Sequence, residues 1–190
     1  MDVICILGRG IEKVKTSSGY VWRPTCLIEK LSEKGWHTGY RLQGLDPDDE
    51  FTVIAGSNAN VLAAIQLLEE LIKNGNPPQL VIFAAGRPPY LVDDPDPTLS
   101  EGTILAAKFV RSIKIDEANM PEIAIQSGNK NTRDDLEQSL RLATEKGLKR
   151  LAVVTVSVHI ERVREFFNLI LETRLTEQEK KDLTAFMRAL

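Results

Sequence analysis

Val3-Ile4-Cys5-Ile6-Leu7-Gly8-Arg9-Gly10 is the stretch that decides the fold of this chain. Five residues in succession are apolar, which predicts a strand buried on both faces, as in a parallel sheet. The glycines that follow predict a tight turn at the carboxyl end of that strand. In an open α/β sheet, ligands bind outside the carboxyl ends of the strands. This turn is therefore also the first candidate part of a functional site.

Four further runs of mostly apolar residues predict core strands, and helical patterns separate them. The runs are Phe51 to Ile54, Leu80 to Ala84, Glu122 to Ile125 and Leu151 to Thr155. The helical patterns are a stripe through Val61, Ile65, Leu68 and Ile72, a helix capped by Ser100 that runs to about Ile113, and helices from Asp134 to Lys146 and from His159 to Leu171. This alternation predicts an α/β fold, a Rossmann-like three-layer sandwich with a mainly parallel sheet, and we expect all five strands in that sheet.

The length of the chain suits one domain. With 190 residues, 43% of them hydrophobic, we expect a single α/β domain over residues 1–190. Residues 11–50 alternate strand-like and turn-forming segments around a helical stretch predicted near Leu27 to Glu33, and we interpret them as an elaboration of the fold. Thr176 and Glu179 form a capping pair that predicts a C-terminal helix at about 176–188.

The charge and hydropathy patterns argue against several kinds of partner. The 24 basic and 27 acidic residues are spread along the chain, with no basic block for a nucleic-acid backbone, so no nucleic-acid partner is expected. No apolar stretch reaches the roughly 18 to 20 residues that span a bilayer, and no cationic leader is present, which predicts a cytoplasmic chain without membrane contact. Cys5 and Cys26, the only cysteines, predict neither a disulfide framework nor a metal site. The cofactor and the oligomeric state stay open.

Two polar segments in the second half of the chain come where a strand ends and a helix begins. The first is Asn131-Thr132, and the second runs from Thr155 through His159 to Arg162. We expect the two segments to lie side by side. His159 could be a general acid or base, and Arg162 could grip a phosphate or carboxylate in two places. The alternative is that Asn131, Thr132 and His159 only cap their helices and that Arg162 is a surface residue. Thr132 with Asp135 is the predicted capping pair of the helix from Asp134 to Lys146.

The remaining candidates also lie at the ends of predicted strands. Gly8, Arg9 and Gly10 could present N–H groups and a guanidinium to an anion, although Lys13 stands where a dinucleotide turn needs its third small residue. A tight turn with a solvated arginine is the alternative. Glu101 could be a catalytic carboxylate or an acid favoured by the helix N-terminus. The other candidate ligand-binding residues are Ser57, Asn58, Gly86 and Arg87, the last two opening a long loop rich in proline and aspartate.

These features occur in the order that marks the YdcF/SanA/ElyC-like family of bacterial α/β domains of unknown function, which the sequence resembles over about residues 2–10 and 53–170. The matching features are the opening strand with Gly8-Arg9-Gly10, the strand Leu80 to Ala84 ending at Gly86, Ser100-Glu101, Asn131-Thr132, and Thr155 with His159 and Arg162. The resemblance implies a Rossmann-like fold whose polar cleft is built from these positions. Some members of the family are linked to cell-envelope maintenance, and one has been reported to bind S-adenosylmethionine.

The sequence also departs from that family. Ala84-Ala85-Gly86 replaces the usual serine-glycine-glycine turn, and Gln126 and Asp134-Asp135 stand about where the family often has a glutamate and a glutamate-asparagine pair. The N-terminal membrane anchor of several members is absent, so an envelope role is not expected. Residues 11–50 have no counterpart in the family pattern.

The sequence therefore predicts a small-molecule enzyme that binds a phosphorylated or nucleotide-like, anionic ligand and acts as a hydrolase or group transferase. His159 and Glu101 are the candidate catalytic residues, and Arg9 with Arg162 would clamp the anion. The alternative is a non-catalytic module that binds S-adenosylmethionine or a related nucleoside. A methyltransferase is a weaker possibility, because no acidic residue that could hold a ribose is evident near residues 55 to 60.

Overall fold

The computed structural model describes residues 1–32, 35–39, 52–91, 93–156 and 159–174. Its strands are β1 (Val3–Leu7), β2 (Ile11–Thr16), β3 (Gly19–Pro24), β4 (Leu27–Ser32), β5 (Gly35–Gly39), β6 (Thr52–Ala55), β7 (Leu80–Ala84), β8 (Glu122–Gln126) and β9 (Leu151–Val154). Its α-helices are α1 (Ser57–Lys73), α2 (Glu101–Ser112), α3 (Thr132–Glu145) and α4 (Ile160–Arg174).

Four parallel strands form the central sheet in the order β8-β7-β1-β9. In its register, Ile4 of β1 lies between Val81 of β7 and Ala152 of β9. Because all four strands run the same way, their carboxyl ends meet at one edge of the sheet. The predicted α/β fold with a mainly parallel sheet is confirmed.

The two faces of the sheet are covered by different helices, which makes the three layers. On β1, Val3, Cys5 and Leu7 belong to the core under α3 and α4. Ile4 and Ile6 belong to the core under α1 and α2. Every side chain of β1 is almost fully buried, as the unbroken apolar run predicts. Burying each such side chain contributes about 1.5–3 kcal/mol to stability.

Two local predictions in the first third of the chain are wrong. Strand β6 is not in the central sheet, because it pairs antiparallel with β4 in a separate three-stranded sheet of order β5-β4-β6. Leu27–Ser32 is a strand and not a helix. The leucines at 27 and 31 have helical spacing, but hydrogen bonding to two neighbouring strands overrides a weak local preference. Strands β2 and β3 form a hairpin next to Gly10.

The prediction that the two polar segments lie side by side is also wrong. Asn131-Thr132 follows β8 and Thr155 follows β9, and β7 and β1 separate these two strands in the sheet. Both segments still lie at the carboxyl edge, because the sheet is parallel. The helix predicted at 176–188 and its capping pair lie outside the described residues.

Candidate functional site

A polar cleft opens at the carboxyl edge of the sheet, where β1 and β7 end and where α2 and α3 begin. Its volume is about 240 Å³. It is lined by Gly8, Ala85, Gly86, Arg87, Pro88, Pro89, Glu101, Asn129, Lys130, Asn131, Thr132 and Asp135. Six of these are candidate residues from the sequence, namely Gly8, Gly86, Arg87, Glu101, Asn131 and Thr132. The fold therefore brings together residues from four separate segments.

The turn after β1 binds a carboxylate of the chain itself. Glu101 Oε1 accepts a hydrogen bond from the N–H of Gly10 and one of 2.5 Å from the hydroxyl of Ser57. The Ser57 oxygen in turn accepts the N–H of Arg9 at 2.6 Å. Two of the N–H groups that were candidates for an external anion, those of Arg9 and Gly10, thus donate to Ser57 and Glu101. This carboxylate closes the turn and forms part of the cleft wall.

Burial dominates the electrostatics of Glu101. Loss of solvent raises the pKa of this carboxyl, although the Ser57 hydroxyl, the N–H groups of Gly10 and Arg9 and the charge of Arg9 all act to lower it. A buried carboxyl with such donors is held in one orientation. Arg9 is half-buried beside it, so its positive charge partly offsets the carboxylate.

Ser57 and Asn58 are the first residues of helix α1, and both are hydrogen-bonded to Thr25 in the elaboration of residues 11–50. The N–H of Ser57 donates to Thr25 Oγ1 at 3.2 Å, and the N–H of Asn58 donates to the Thr25 carbonyl at 3.1 Å. Ser57 is fully buried, so its part in the site is to support Glu101. Asn60, one turn further, donates its side-chain N–H to the Leu7 carbonyl at 2.8 Å and anchors α1 to the end of β1.

Two glycines allow the segments of the cleft to approach each other. A Cβ on Gly8 would lie 2.5 Å from Glu101 Cδ and 2.7 Å from the Ala85 methyl carbon. A Cβ on Gly86 would overlap the carbonyl oxygen of Asn129. Each position excludes a side chain because a neighbouring segment occupies the space where that side chain would be.

Gly86→Ala should destabilise the chain by about 2–4 kcal/mol, because the rigid backbone of the loop at Asn129 must move to admit a methyl group. Urea denaturation measures the loss. The matched control is Gly128→Ala, since no atom lies within 4 Å of a Cβ built on Gly128. Equal stabilities for the two variants would show that the backbone of Asn129 does not lie in contact with Gly86.

Asp135 is the second carboxyl of the cleft, and sequence reasoning did not select it. The residue is 8% exposed, and its Oδ1 accepts a 2.9 Å hydrogen bond from Asn129 Nδ2. Burial raises the pKa of Asp135 to about 7, with further contributions from the negative charges of Glu101 and Asp134 and against the hydrogen bond from Asn129. An acid with this pKa can both give and accept a proton near neutral pH.

A polar network connects Asp135 to the sheet. Ser139, one helical turn after Asp135, is fully buried and donates to the Asp135 carbonyl at 2.7 Å or to Gln126 Oε1 at 3.0 Å. The Cys5 thiol donates to Ser139 Oγ at 3.3 Å. Burial raises the pKa of Cys5 to about 12, so this thiol stays protonated. Helix α3 is thereby joined at Ser139 to β1 and β8.

A signal for Asp135 was present in the sequence. Along α3 the buried residues are Asp135, Leu136, Ser139, Leu140 and Ala143, so Asp135 lies on the apolar stripe that faces the sheet. An acidic residue on such a stripe is unusual unless it is paired or functional. The sequence interpretation instead used Asp135 as the partner of Thr132 in a cap, which the structure corrects. The N-cap is Asn131, whose side-chain oxygen accepts the N–H of Asp134 at 3.0 Å.

Arg87 organises the loop that borders the cleft. Its Nη1 donates to the carbonyls of Asp96 and Leu99, and its Nη2 donates to those of Leu91 and Asp94, at distances of 2.5 to 3.1 Å. This guanidinium therefore holds the proline- and aspartate-rich loop in a folded form. Its charge remains at the cleft wall, while its N–H groups bind the loop.

His159, Arg162 and Thr155 lie beyond β1, on the side of β9. Arg162 Nη2 lies 3.3 Å from both His159 ring nitrogens, which places the guanidinium against the ring. His159, Arg162 and Thr155 are not among the residues that line the cleft. Thr155 Oγ1 is buried and has no hydrogen-bond partner within the described part of the chain.

A second, larger groove adjoins the cleft along the outer edge of β8. Its volume is about 650 Å³. It shares Asn129 and Lys130 with the cleft, and its lining is completed by Ile125, Gln126, Ser127, Gly128, Asp134 and Gln138. A ligand longer than the cleft would have room here. Small-molecule sites usually measure about 300–1,000 Å³.

Fold and cleft define the class of the protein, an α/β domain with a polar cleft at the carboxyl edge of a parallel sheet. Comparisons of the chain with protein-family models, with curated proteins and with solved structures give no match. In the ranges that the structure describes, no group of three or more His, Cys, Asp or Glu side chains is arranged to hold a metal ion. The described helices include none that is long and apolar enough to cross a membrane.

Proposed function

We propose that the chain is a small-molecule enzyme, similar to the YdcF/SanA/ElyC-like family, that binds a phosphorylated or nucleotide-like ligand in the cleft. The reaction would be hydrolysis or group transfer at phosphorus, with Asp135 as the proton-exchanging group. One observation carries this proposal. A buried carboxyl with a pKa of about 7 lines a polar cleft at the edge of the sheet where α/β proteins bind ligands.

The geometry of Asp135 suits proton exchange with a ligand. Asn129 holds one carboxyl oxygen, and the other has no hydrogen-bond partner among the described residues and is not among the buried unpaired atoms. That second oxygen is therefore the part of Asp135 that reaches the solvent of the cleft. General acid–base catalysis by a group with a pKa near the working pH contributes about 10²–10⁴ in rate.

The start of α3 favours an anion next to Asp135. The N–H groups of the first helical turn have no partners within the helix, and Asn131 satisfies those of Asp134 and Asp135. In the described residues the N–H groups of Thr132 and Arg133 have no acceptor. Lys130 and Arg87 add positive charge to the cleft wall. A phosphoryl group there would lie beside the Asp135 carboxyl.

The remaining parts of the site agree with a ligand of nucleotide size. The phosphoryl end would occupy the cleft and the rest would extend along β8 into the adjoining groove, which shares Lys130 with the cleft. His159 and Arg162 stand at the same edge on the far side of β1. A ligand that extends past β1 would contact them. The charge of Glu101 acts to raise the pKa of Asp135.

Anion binding should depend on pH through Asp135. A bound anion raises the pKa of a neighbouring carboxyl, so the ligand and the proton favour each other. We expect AMP or ribose 5-phosphate to bind roughly 10-fold more tightly at pH 6 than at pH 8. Calorimetric titration measures this difference. Inorganic sulfate controls for the proton that a phosphate monoester itself takes up near pH 6, because its charge is constant over this range.

The Asp135→Asn variant distinguishes the possible results. If Asp135 causes the pH dependence, this variant should bind sulfate equally at pH 6 and pH 8. No binding of phosphate, sulfate or nucleotide to the unmodified chain at millimolar concentration would overturn the proposal. Binding of S-adenosylmethionine but not of AMP or ribose 5-phosphate would favour the non-catalytic module instead.

A further inference from the structure

The loop between β8 and α3 is held in place by backbone contact. The carbonyl of Asn129 passes so close to Gly86 that no side chain fits at position 86. The same loop begins at Gln126, whose side-chain oxygen accepts the Ser139 hydroxyl at 3.0 Å. It ends at Asn131, the cap of α3. The backbone at Asn129 is therefore held by its contact with Gly86, which follows β7, and by the anchored residues at both ends of its own loop.

From this backbone position the side chain of Asn129 reaches Asp135 and Gln126. Its Nδ2 lies 2.9 Å from Asp135 Oδ1 and 3.5 Å from Gln126 Oε1. Nδ2 carries two hydrogens and can donate to both acceptors at once. The lone pair of an amide nitrogen is delocalised into the carbonyl, so Nδ2 only donates, and it stabilises the carboxylate form of Asp135 over the protonated form at this oxygen.

We propose that Asn129 is a positioning residue for Asp135, which binds Oδ1 and so directs Oδ2 towards the ligand in the cleft. The inference rests on the proposed function, since it treats Asp135 as the group that exchanges a proton with that ligand. Asn129 itself acts through Asp135. Gly86 contributes by allowing the Asn129 backbone to approach β7.

The other charged groups around Asp135 act on it from several elements. Glu101 on α2 and Asp134 on α3 both raise its pKa. Lys130, before α3, and Arg87, after β7, line the same cleft. Cys5 on β1 stays protonated and donates to Ser139, whose hydroxyl donates to the backbone carbonyl of Asp135 or to Gln126. Among the causes that act on the pKa of Asp135, Asn129 is the one that lowers it.

The experiment follows the carboxyl carbon of Asp135 by NMR during a pH titration of the whole chain. Asn129→Ala should raise the pKa of Asp135 by about one pH unit, because the carboxylate loses its donor. Asn129→Asp should raise it further, because it replaces a donor by a negative charge. Asn168→Ala, at an exposed position on α4, is the control and should leave the titration unchanged. Amide spectra of each variant show whether it is folded.

The possible results separate this inference from the proposed function. If Asp135 titrates near pH 7 in the unmodified chain and in both Asn129 variants alike, Asn129 is not a positioning residue, while the proposed function stands. If Asp135 already titrates near pH 4 in the unmodified chain, the proposed function is wrong, and the inference about Asn129 that rests on it is wrong as well. A rise of the pKa in both variants, larger for Asn129→Asp, is the result that we expect. Should Asn129→Asp not fold, Asn129→Ala alone decides.

Discussion

Glu101→Ala is expected to destabilise the chain by about 2–4 kcal/mol, since buried donors that lose their acceptor cost about 1–3 kcal/mol each. The substitution removes the acceptor of the Ser57 hydroxyl and of the Gly10 N–H. It also leaves a cavity between the turn after β1 and helix α2. For a chain of this length the midpoint of thermal unfolding should fall by roughly 5–15 °C.

Two variants test this account of Glu101. Glu101→Gln keeps one side-chain oxygen as an acceptor and should cost less than half as much. Glu165→Ala removes an exposed glutamate of α4 and should change stability by no more than about 0.5 kcal/mol. If Glu101→Ala unfolds at the same temperature as Glu165→Ala, the carboxylate does not close the turn after β1.

Asp135→Asn is expected to make the chain more stable than the unmodified chain at alkaline pH. The pKa of Asp135 in the folded chain, about 7, lies above its ordinary value of 3.8. Between these values the folded chain holds a proton that the unfolded chain has released. The stability that the raised pKa contributes to the folded chain is therefore complete below about pH 4 and is lost as the pH rises through 7. Asparagine has no proton to lose and does not show this decline.

The size of the effect follows from the separation of the two pKa values. Each pH unit corresponds to about 1.4 kcal/mol, so the advantage of Asp135→Asn over the unmodified chain should be about 2–3 kcal/mol larger at pH 8 than at pH 5. Urea denaturation at both pH values measures it. Asp116→Asn, at an exposed position before residues 117–119, is the control and should show no such change. A constant difference for Asp135→Asn would contradict the burial of an ionisable carboxyl there.

The sequence predicted the central part of the fold well, because its strands have local signatures. The bounds of β1 and β7 match the predicted runs at both ends, since an unbroken apolar run between turn formers has few alternatives. The cap at Ser100 was also predicted, and its side chain accepts the Thr103 N–H at 3.1 Å. These features depend on neighbouring residues alone.

The pairing of strands was less predictable. The apolar residues of β6 are compatible with either sheet, and only its hydrogen bonds to β4 decide between them. The order of the central sheet likewise depends on how α3 crosses from β8 to β9. Sequence distance does not determine that crossing, which is why Asn131 and Thr155 were expected to be neighbours.

The candidate site was predicted by position more than by role. Glycines and polar residues at strand ends were the candidates, and the structure places Gly8, Gly86 and Glu101 among the residues that line the cleft. The sequence could not show that Glu101 fills the turn after β1, because that contact joins residues 91 positions apart. Asp135 was missed although its place on the apolar stripe of α3 indicated burial, because no motif marks it.

The pKa of Asp135 in the unmodified chain is the measurement that tests the central claim most directly. Titration of its carboxyl carbon by NMR, assigned by comparison with Asp135→Asn, gives this value without knowledge of the ligand. The account predicts a midpoint near pH 7, raised by burial and by the neighbouring negative charge of Glu101. A midpoint near pH 4 would mean that Asp135 is an ordinary solvated carboxylate, and the cleft would then have no group poised to exchange a proton.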